Sequence, residues 1–384
     1  MKDVKYTLKN EDKSGIDWIL FLATIPLLGA GLVTMSSFNA NTSLFSGFFA
    51  KQLIWITASI LVFFGLSFID FRFLRKTWVS VVLFISSCAV LLTLFAIGKV
   101  AKGALSWFDV GLFSIQPSDP IKLVIIIILA KYFSRRHIEI ANLRHILVSG
   151  IYAFIIFALV LVQPDFGSAV IIFFIWFGMI LVSGLSRKHL LGLIFAGIVT
   201  FALLWSFGFK DYQKARIMTF INPTADIHGT GYNSYQSTIA VGSGRLFGKG
   251  VGYGTQSRLK FLPEYQTDFI FSAFAEEWGF FGVIILFSLF GIVIWRIIKT
   301  SMRGATNFEI LFGAGVAILI IVHFMINIGM NIQLLPVTGT TLPFLSYGGT
   351  HLITEFSGLG ILMGMRRYRR VAHKDEDKNE FIGA

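Results

Sequence analysis

Long apolar stretches recur along almost the whole of this chain, and they limit its fold more than any other feature. Ten of them approach the roughly 20 residues that a helix needs to cross a lipid bilayer. They cover residues 16–35, 53–68, 78–97, 120–133, 146–162, 168–184, 190–207, 269–298, 308–329 and 352–365. The chain is 55% hydrophobic and only 14% charged, so a soluble fold would expose more apolar surface than water tolerates. We therefore predict an all-α polytopic membrane protein of about ten transmembrane helices.

The positions of Lys and Arg predict how these helices are oriented. Short cytoplasmic loops collect positive charge, and 22 of the 33 Lys and Arg residues fall on the side that holds both termini. The opposite short loops hold only Lys51, Lys99 and Lys102. Both termini are thus predicted to be cytoplasmic. The predicted units are a cytoplasmic N-terminal segment 1–15, a membrane domain 16–367 with an extracytoplasmic loop 209–266, and a cytoplasmic tail 368–384.

The net charge of +12 does not indicate a nucleic-acid partner. Most of the cations lie beside predicted transmembrane helices, where they set topology and meet anionic membrane lipid. The single cysteine, Cys88, lies inside a predicted helix, so an intramolecular disulfide is excluded.

The extracytoplasmic loop 209–266 breaks the charge pattern. A loop of this length in a compact protein is usually functional or disordered, and its tyrosines and glycines favour order. It carries the cations Lys210, Lys214, Arg216, Arg245, Lys249, Arg258 and Lys260. Long loops translocate regardless of charge, but this excess of cations also suits an anionic ligand, and both interpretations stay open.

The segment 261–271, where this loop enters the eighth predicted helix, carries the clearest chemical motif. Asp268 lies at the edge of an apolar helix, a place where an acid is costly unless it is paired or wetted, so a functional role is the first expectation. Thr267 and Asp268 are also typical helix-capping residues, which is the structural alternative. At about 100° per residue, Glu276 falls near the helical face of Asp268 and can line the same cavity.

Three further extracytoplasmic segments are rich in turn-forming and polar residues: 116–122, 163–168 and 334–349. In the first, Asp119 and Lys122 are three residues apart and suit either a structural pair or a substrate contact. In the second, Asp165 suits a tight turn or a place in the site. The third has too many prolines and glycines for an ordinary helix. Its non-helical backbone at membrane depth requires a protein-buried or wet environment, and its hydroxyls at Thr338, Thr340, Ser346 and Tyr347 can line a polar pocket.

Taken together, these motifs resemble the RodA/FtsW (SEDS) family of bacterial cell-wall polymerases, over essentially the whole chain. The residues that carry the resemblance are Gln116–Ser118, Gln163–Asp165, Tyr235–Ser237, Leu262–Glu264, Thr267–Phe271, Leu335–Gly339 and Leu342–Gly349. The sequence of Pro336–Gly339 is closer to the elongation type, RodA, than to the division type, FtsW.

The resemblance implies a peptidoglycan glycosyltransferase in the bacterial cytoplasmic membrane that polymerises lipid II at its outer face, beside a class B penicillin-binding transpeptidase. Asp268 matches the family's essential aspartate, and a carboxylate there can accept a proton from the acceptor's GlcNAc 4-hydroxyl. The diphosphate leaving group needs cations. A divalent cation, Mg or Mn, held by Asp268 remains open. The candidate substrate-binding residues are Gln116, Asp119, Lys122, Asp165, Arg216, Gln236, Ser237, Arg245, Lys249, Arg258, Lys260, Glu264, Thr267, Glu276, Thr338, Ser346 and Tyr347.

The chain departs from the family's pattern at several motif positions. It has Ser106 where the family usually has Arg, Asp119 where it usually has Glu, Gln333 where it usually has Gly, and Thr350–His351 where it usually has Ser-Ser. Ser106 removes a candidate cation, and Asp119 keeps the charge with a shorter reach. The rival functions are a lipid II flippase, a division-type polymerase and a non-catalytic scaffold; a scaffold would leave the Asp268 motif without a role.

Overall fold

Helices account for nearly all of the computed structural model, which describes residues 15–36, 48–101, 104–109, 114–134, 143–209, 211–222, 231–259 and 261–380. The helices in these ranges are α1 (Trp18–Ser36), α2 (Phe48–Ser67), α3 (Thr77–Ile97), α4 (Ser118–Ser134), α5 (Leu143–Val162), α6 (Phe166–Gly184), α7 (Arg187–Leu203), α8 (Asp211–Ile221), α9 (Tyr232–Ser243), α10 (Thr255–Arg258), α11 (Ile270–Ser301), α12 (Asn307–Asn331) and α13 (Gly349–Glu380).

Eight helices in the described ranges are long and apolar enough to cross a membrane: α1, α2, α3, α5, α6, α7 with the π turn that follows it, α11 and α12. The two other predicted spans coincide with α4, which has 17 residues, and with the first part of α13, which has 32. The fold class, a polytopic helical membrane protein, is confirmed. The count of ten spans and the cytoplasmic termini stay predictions.

The structure adds a small antiparallel sheet that the sequence did not predict, in the connection between α3 and α4. Its strands are β1 (Lys99–Ala101), β2 (Ala104–Asp109) and β3 (Ser114–Ile115), in the order β1-β2-β3. Only two residues separate β1 from β2, which is the spacing of a tight hairpin. Strands this short carry too little alternating pattern to be recognised in the sequence.

The loop predicted between the seventh and eighth spans is ordered in the parts that the structure describes. It contains α8, α9 and the single turn α10. Its glycines lie mostly after α9, where the chain turns back towards α11.

Helix α12 lies at the centre of the bundle, packed against α4, α6, α11 and α13. Small residues allow this close packing: a Cβ at Gly315 would meet Ile126 of α4 and Met179 of α6. Gly349, at the start of α13, likewise lies directly against the Trp55 ring of α2. By contrast, none of the residues Arg187–Leu203 of α7 is buried.

A buried ion cluster at the end of the bundle where α11 stops joins three helices. Asp17, just before α1, accepts hydrogen bonds from Arg296 and Thr300 of α11 at 2.5–3.2 Å. Arg366 of α13 lies 3.3 Å from the same carboxylate. The start of α1 and residue 366 therefore lie at the same end, opposite the end where α11 begins.

Candidate active site

Asp268 lies in the turn that leads into α11. The helix begins at Ile270 with Phe269 at the N-cap position, and this cap makes no side-chain hydrogen bond. Asp268 therefore stands one residue before the position that a capping carboxylate occupies. Its side chain is half-buried at the edge of the bundle, beside the backbone of the loop 332–348.

Two asparagines of α12 hold the backbone of this turn. The side-chain amides of Asn327 and Asn331 each donate a hydrogen bond to the carbonyl oxygen of Asp268 at 3.0 Å. They are four residues apart and so lie on one face of the helix. Asn331 also accepts a hydrogen bond from Ser272, at 2.6 Å, in the first turn of α11. Both asparagines are fully buried, so their orientation is set by these bonds.

The loop 332–348 lies against the same turn from the other side. Ser346 donates its hydroxyl to the carbonyl of Thr267 at 2.7 Å, and the amide of Tyr347 donates to the carbonyl of Gln266 at 2.8 Å. A Cβ at Gly339 would lie 3.4 Å from Asp268 Oδ2. Gly339 also has a φ of +74°, which glycine adopts most readily. The loop thus brings backbone within contact distance of the carboxylate.

The residues just before Asp268 are held by a small apolar cluster. Leu262, Phe269 and two alanines are buried together, with Tyr265 packed against them. Between them, Glu264 has a φ of +52°, and its carbonyl accepts hydrogen bonds from the amides of Thr267 and Phe269. Thr267 Oγ1 also donates to Glu264 Oε2 at 3.0 Å. Glu264 and Thr267 therefore build the turn on which Asp268 stands.

Two of the other predicted segments meet each other near this loop. Gln116 donates its side-chain amide to Asp165 Oδ2 at 2.8 Å, and Ser118 donates to the same oxygen at 3.3 Å. The other oxygen of Asp165 accepts the amide of Ser168, which makes Asp165 the N-cap of α6. A Cβ at Gly167 would press against the carbonyl of Thr338. The segment 163–168 thus contacts both the segment 116–122 and the loop 332–348, with Asp165 in a capping role.

Asp119 and Lys122 form a buried ion pair, with Nζ and Oδ1 2.8 Å apart and both side chains less than a tenth exposed. His351 of α13 completes the group, since its Nδ1 lies 3.8 Å from Asp119 and its Nε2 lies 2.8 Å from Glu355. Positions 119 and 351 are two of the places where the chain departs from the family's pattern. Lys122 therefore faces a carboxylate rather than a surface that a substrate reaches.

Glu276 also has an internal partner. It is fully buried and accepts hydrogen bonds from Lys249 Nζ at 2.7 Å, Thr255 Oγ1 at 3.0 Å and the amide of Gln256 at 3.1 Å. The sequence predicts that Glu276 and Asp268 line one cavity, but the structure does not bring their side chains together. Instead, Glu276 and Lys249 neutralise each other and fix the glycine-rich segment 244–256.

The glycines of that segment have a geometric cause. Helix α11 is kinked at Gly279, where φ is +63°, and the segment 245–250 runs alongside the kink. Amide-to-carbonyl hydrogen bonds join Lys249 to Glu276, and Phe280 to Arg245. Gly244 and Gly248 lie so close to the carbonyls of Ala275 and Glu277 that a Cβ would collide with them. The backbone polar groups of this non-helical segment thus form hydrogen bonds with the backbone at the kink.

The remaining predicted site residues are dispersed. Arg245 and Arg258 are exposed, and Gln236 is half-buried on α9. Ser237 is fully buried and bonds to Ser272 and Asn331, so it joins α9 to the core. Arg216 lies in α8 with its side chain outside the described part of the structure, and Lys260 lies wholly outside the described residues.

Two tyrosines beside the turn stay protonated at neutral pH. Burial raises the pKa of the Tyr265 and Tyr347 phenols above their ordinary value. Both side chains are therefore neutral hydroxyls, which can donate as well as accept hydrogen bonds.

Sequence reasoning missed Asn327, Asn331 and Glu355, and it named His351 only as a departure from the family's pattern. A signal for the asparagines is present, because two amides four residues apart in an otherwise apolar span are costly without partners. Among the described residues, no group of three His, Cys, Asp or Glu side chains gathers in a way that could hold a metal ion. A site that uses one or two carboxylates together with substrate phosphates needs no such group, so the divalent cation at Asp268 stays a prediction.

The fold and this site define a multi-pass membrane protein with a polar turn at the end of an apolar bundle. Neighbouring segments hydrogen-bond to the backbone of this turn. A family model described as cell cycle protein, covering FtsW, RodA and SpoVE, matches residues 17–371. The chain belongs to this family.

Relatives and solved structures agree with that assignment. Stage V sporulation protein E of Bacillus subtilis is 36% identical over 93% of this chain and 99% of its own length. Peptidoglycan glycosyltransferase MrdB of Escherichia coli is 36% identical over 76% and 79%. A chain from a peptidoglycan synthase complex, solved for the coordination of polymerization and crosslinking, superposes with a TM-score of 0.78 at 28% identity over 92% and 98%. The rod shape determining protein RodA of Thermus thermophilus superposes at 0.68, also with 28% identity, over 92% and 97%.

Proposed function

We propose that this chain is a peptidoglycan glycosyltransferase that polymerises lipid II at the outer face of the bacterial cytoplasmic membrane. The observation that carries the proposal is the Asp268 turn, in which a half-buried carboxylate stands beside a loop at the end of the bundle that the charge pattern places outside. The names of relatives such as MrdB support the reaction class.

In this mechanism Asp268 accepts the proton of the acceptor's GlcNAc 4-hydroxyl as that oxygen attacks the donor's MurNAc anomeric carbon. The bond from that carbon to undecaprenyl diphosphate breaks, and the diphosphate leaves with the electron pair. The hydrogen bonds from Asn327 and Asn331 to the Asp268 carbonyl hold the backbone of the base in place. Precise placement of this kind supplies much of the rate of a group transfer.

The leaving diphosphate needs positive charge near the same face. Arg245 and Arg258 are exposed and are the described loop cations that we assign to it. Lys249 and Lys122 are already neutralised by Glu276 and Asp119. Asp268 is the residue that would hold a divalent cation, which would supply further positive charge for the leaving group, and loss of activity in EDTA with recovery on adding Mg or Mn would support it.

We propose further that the chain works beside a class B penicillin-binding transpeptidase in cell elongation. The similarity to a chain of a complex that polymerises and crosslinks supports such a partner. The elongation role rests on the sequence of Pro336–Gly339, which is closer to the elongation type than to the division type. Complementation tests the elongation role: the chain should restore rod shape to cells depleted of their elongation polymerase. If it instead restores division to cells that are filamentous because their division polymerase is depleted, the division role is assigned.

The direct test is polymerisation of labelled lipid II by the purified protein with its transpeptidase partner. Wild type should produce glycan strands, and Asp268→Asn should abolish them while keeping the same thermal unfolding midpoint. Full polymerisation by the Asn variant would overturn the assignment of the base.

A lipid II flippase is the second candidate, since ionisable residues buried among helices are typical of transporters. Lys122 and His351 are such residues, but they lie only about 3–6 Å along the helix from the first residues of α4 and α13. A relay near mid-bilayer would require deeper positions. Asp268-dependent movement of labelled lipid II across vesicles, without polymer, would favour the flippase.

A further inference from the structure

Five ionisable side chains lie together inside the bundle and take no part in the mechanism above. They are Asp119 and Lys122 of α4, His323 of α12, and His351 and Glu355 of α13, and all are buried. Charges at such depth are tolerated only when each has a partner. The contacts within the group determine which of them carry a proton.

His323 is neutral by its contacts. Its Nε2 lies 3.5 Å from Lys122 Nζ, which can only donate, so that ring nitrogen must accept. Its Nδ1 then carries the hydrogen and donates to the carbonyl of Thr341 at 3.3 Å. This tautomer binds the loop 332–348 to α12.

His351 has the opposite surroundings. Its Nε2 lies 2.8 Å from Glu355 and its Nδ1 lies 3.8 Å from Asp119, so both ring nitrogens face carboxylates. Two carboxylates at ion-pair distance favour the positively charged imidazolium. With His351 charged, the two cations and two anions of the group sum to zero. Without that proton, two carboxylates would share Lys122 alone.

Glu355 carries the effect of this charge to the loop. Its second oxygen accepts the amide of Phe344 at 3.0 Å. Phe344 has a φ of +60°, a strained conformation for a bulky residue that persists only when its surroundings enforce it. Two residues further on, Ser346 binds the carbonyl of Thr267, next to Asp268.

We propose that His351, as an imidazolium between Asp119 and Glu355, is a positioning residue for Asp268. Its charge keeps Glu355 ionised on the Phe344 amide, and Glu355 keeps the loop 332–348 against the turn that presents the base. The inference rests on the proposed function, because it assigns Asp268 as the group that is positioned.

The experiment compares His351→Gln, Glu355→Gln and the double variant in lipid II polymerisation. A base misplaced by about 1 Å loses about 100-fold in rate, so His351→Gln should lower kcat by about 10- to 100-fold, with KM for lipid II changed by less than about 3-fold. Glu355→Gln should also lower kcat. The double variant removes one cation and one anion, and it should recover at least about 5-fold over His351→Gln.

Two further measurements separate positioning from simple stability. His145→Gln is the matched control, since His145 is another buried histidine, bonded to Tyr132 at 3.0 Å and far from Asp268; it should keep wild-type kcat. In wild type, kcat should fall as pH rises and His351 loses its proton, whereas the double variant should lack that fall. The groups facing His351 are Asp119, Glu355 and His323, with Lys122 behind Asp119.

Each outcome decides the proposal. If kcat in the three variants only follows their loss of thermal stability, or if the double variant is no better than His351→Gln, the positioning role is overturned. If His351→Gln is folded and fully active while Asp268→Asn is inactive, the positioning role fails and the proposed function stands. If Asp268→Asn polymerises fully, the assignment of Asp268 as the base fails and the positioning role fails with it, whereas absence of polymer from wild type would overturn the proposed function.

Discussion

Asp268 and Glu276 are carboxylates eight residues apart on one stretch of chain, yet their surroundings differ in kind. Glu276 is fully buried, and its oxygens accept hydrogen bonds from a lysine, two hydroxyls and a backbone amide. Asp268 is half-buried, and the two asparagines hold its backbone carbonyl rather than its carboxylate. In the first arrangement, internal hydrogen bonds occupy the carboxylate, so the acid stabilises the structure. The second fixes the backbone position of a half-buried acid beside the loop 332–348.

The largest expected effect is on folding, at Glu276. Glu276 is fully buried, but the Lys249 side chain is 28% exposed, so removing the acid leaves a cation that water reaches in part and costs less than the about 3–5 kcal/mol of a fully buried pair. Glu276→Ala should therefore lower the thermal unfolding midpoint by several degrees, measured by fluorescence-detected size exclusion after heating. Ser243→Ala is the matched control, since it removes only a 3.4 Å hydrogen bond to the same carboxylate, and it should lower the midpoint far less. A Glu276→Ala protein as stable as wild type would contradict the structural role of this acid.

The glycine segment beside the kink should be the next most sensitive. Gly248 has a φ of +78° and no room for a Cβ, because the Glu277 carbonyl occupies that space. Gly248→Ala should destabilise the protein by about 1–3 kcal/mol, the cost of a strained backbone position. Gly242→Ala is the control, since nothing lies within 4 Å of its Cβ and alanine favours a helix. Equal unfolding midpoints for the two variants would refute the close approach of this segment to α11.

The two asparagines should affect rate more than stability. Asn327→Ala and Asn331→Ala each remove one of two hydrogen bonds to the Asp268 carbonyl and also a bond to Thr340 or Ser272, and leaving such buried groups unsatisfied costs about 1–3 kcal/mol. We expect each to lower kcat for polymerisation, and the double variant to lose more than the product of the single losses, because the remaining bond no longer holds the turn. Rates that multiply independently, or a change in KM alone, would speak against a shared positioning role.

The smallest effect on stability is expected at the exposed loop cations. Arg245→Gln and Arg258→Gln should change the free energy of unfolding by less than about 0.5 kcal/mol, as surface substitutions usually do. If these arginines bind the diphosphate, each should raise KM for lipid II, and the rise should shrink at high salt. Exposed Arg187, at the start of α7 on the predicted cytoplasmic side, serves as the control and should leave KM unchanged when replaced by Gln.

Part of this site is predictable from local sequence and part is not. The turn residues and the acid at the start of α11 stand within one segment, and the membrane class follows from ten apolar stretches and the Lys and Arg pattern. Local sequence does not predict which of the two acids has a structural role, because Glu276 is paired with Lys249, 27 residues away in the chain. Helical angle alone placed Glu276 with Asp268, and the contact with the glycine segment decided otherwise.

The sequence by itself determined that the chain is a multi-pass membrane protein of the RodA/FtsW family, and it predicts that the polar motifs gather at one face, because hydropathy, topogenic charge and short motifs are local properties. Only the tertiary structure decided that Asn327 and Asn331 hold Asp268, that Asp165 caps α6, and that Asp119, His351 and Glu355 form one charge-balanced group. These roles depend on partners between 3 and about 230 residues apart in the chain. In an apolar bundle a buried charge or amide must find such partners wherever the packing brings them.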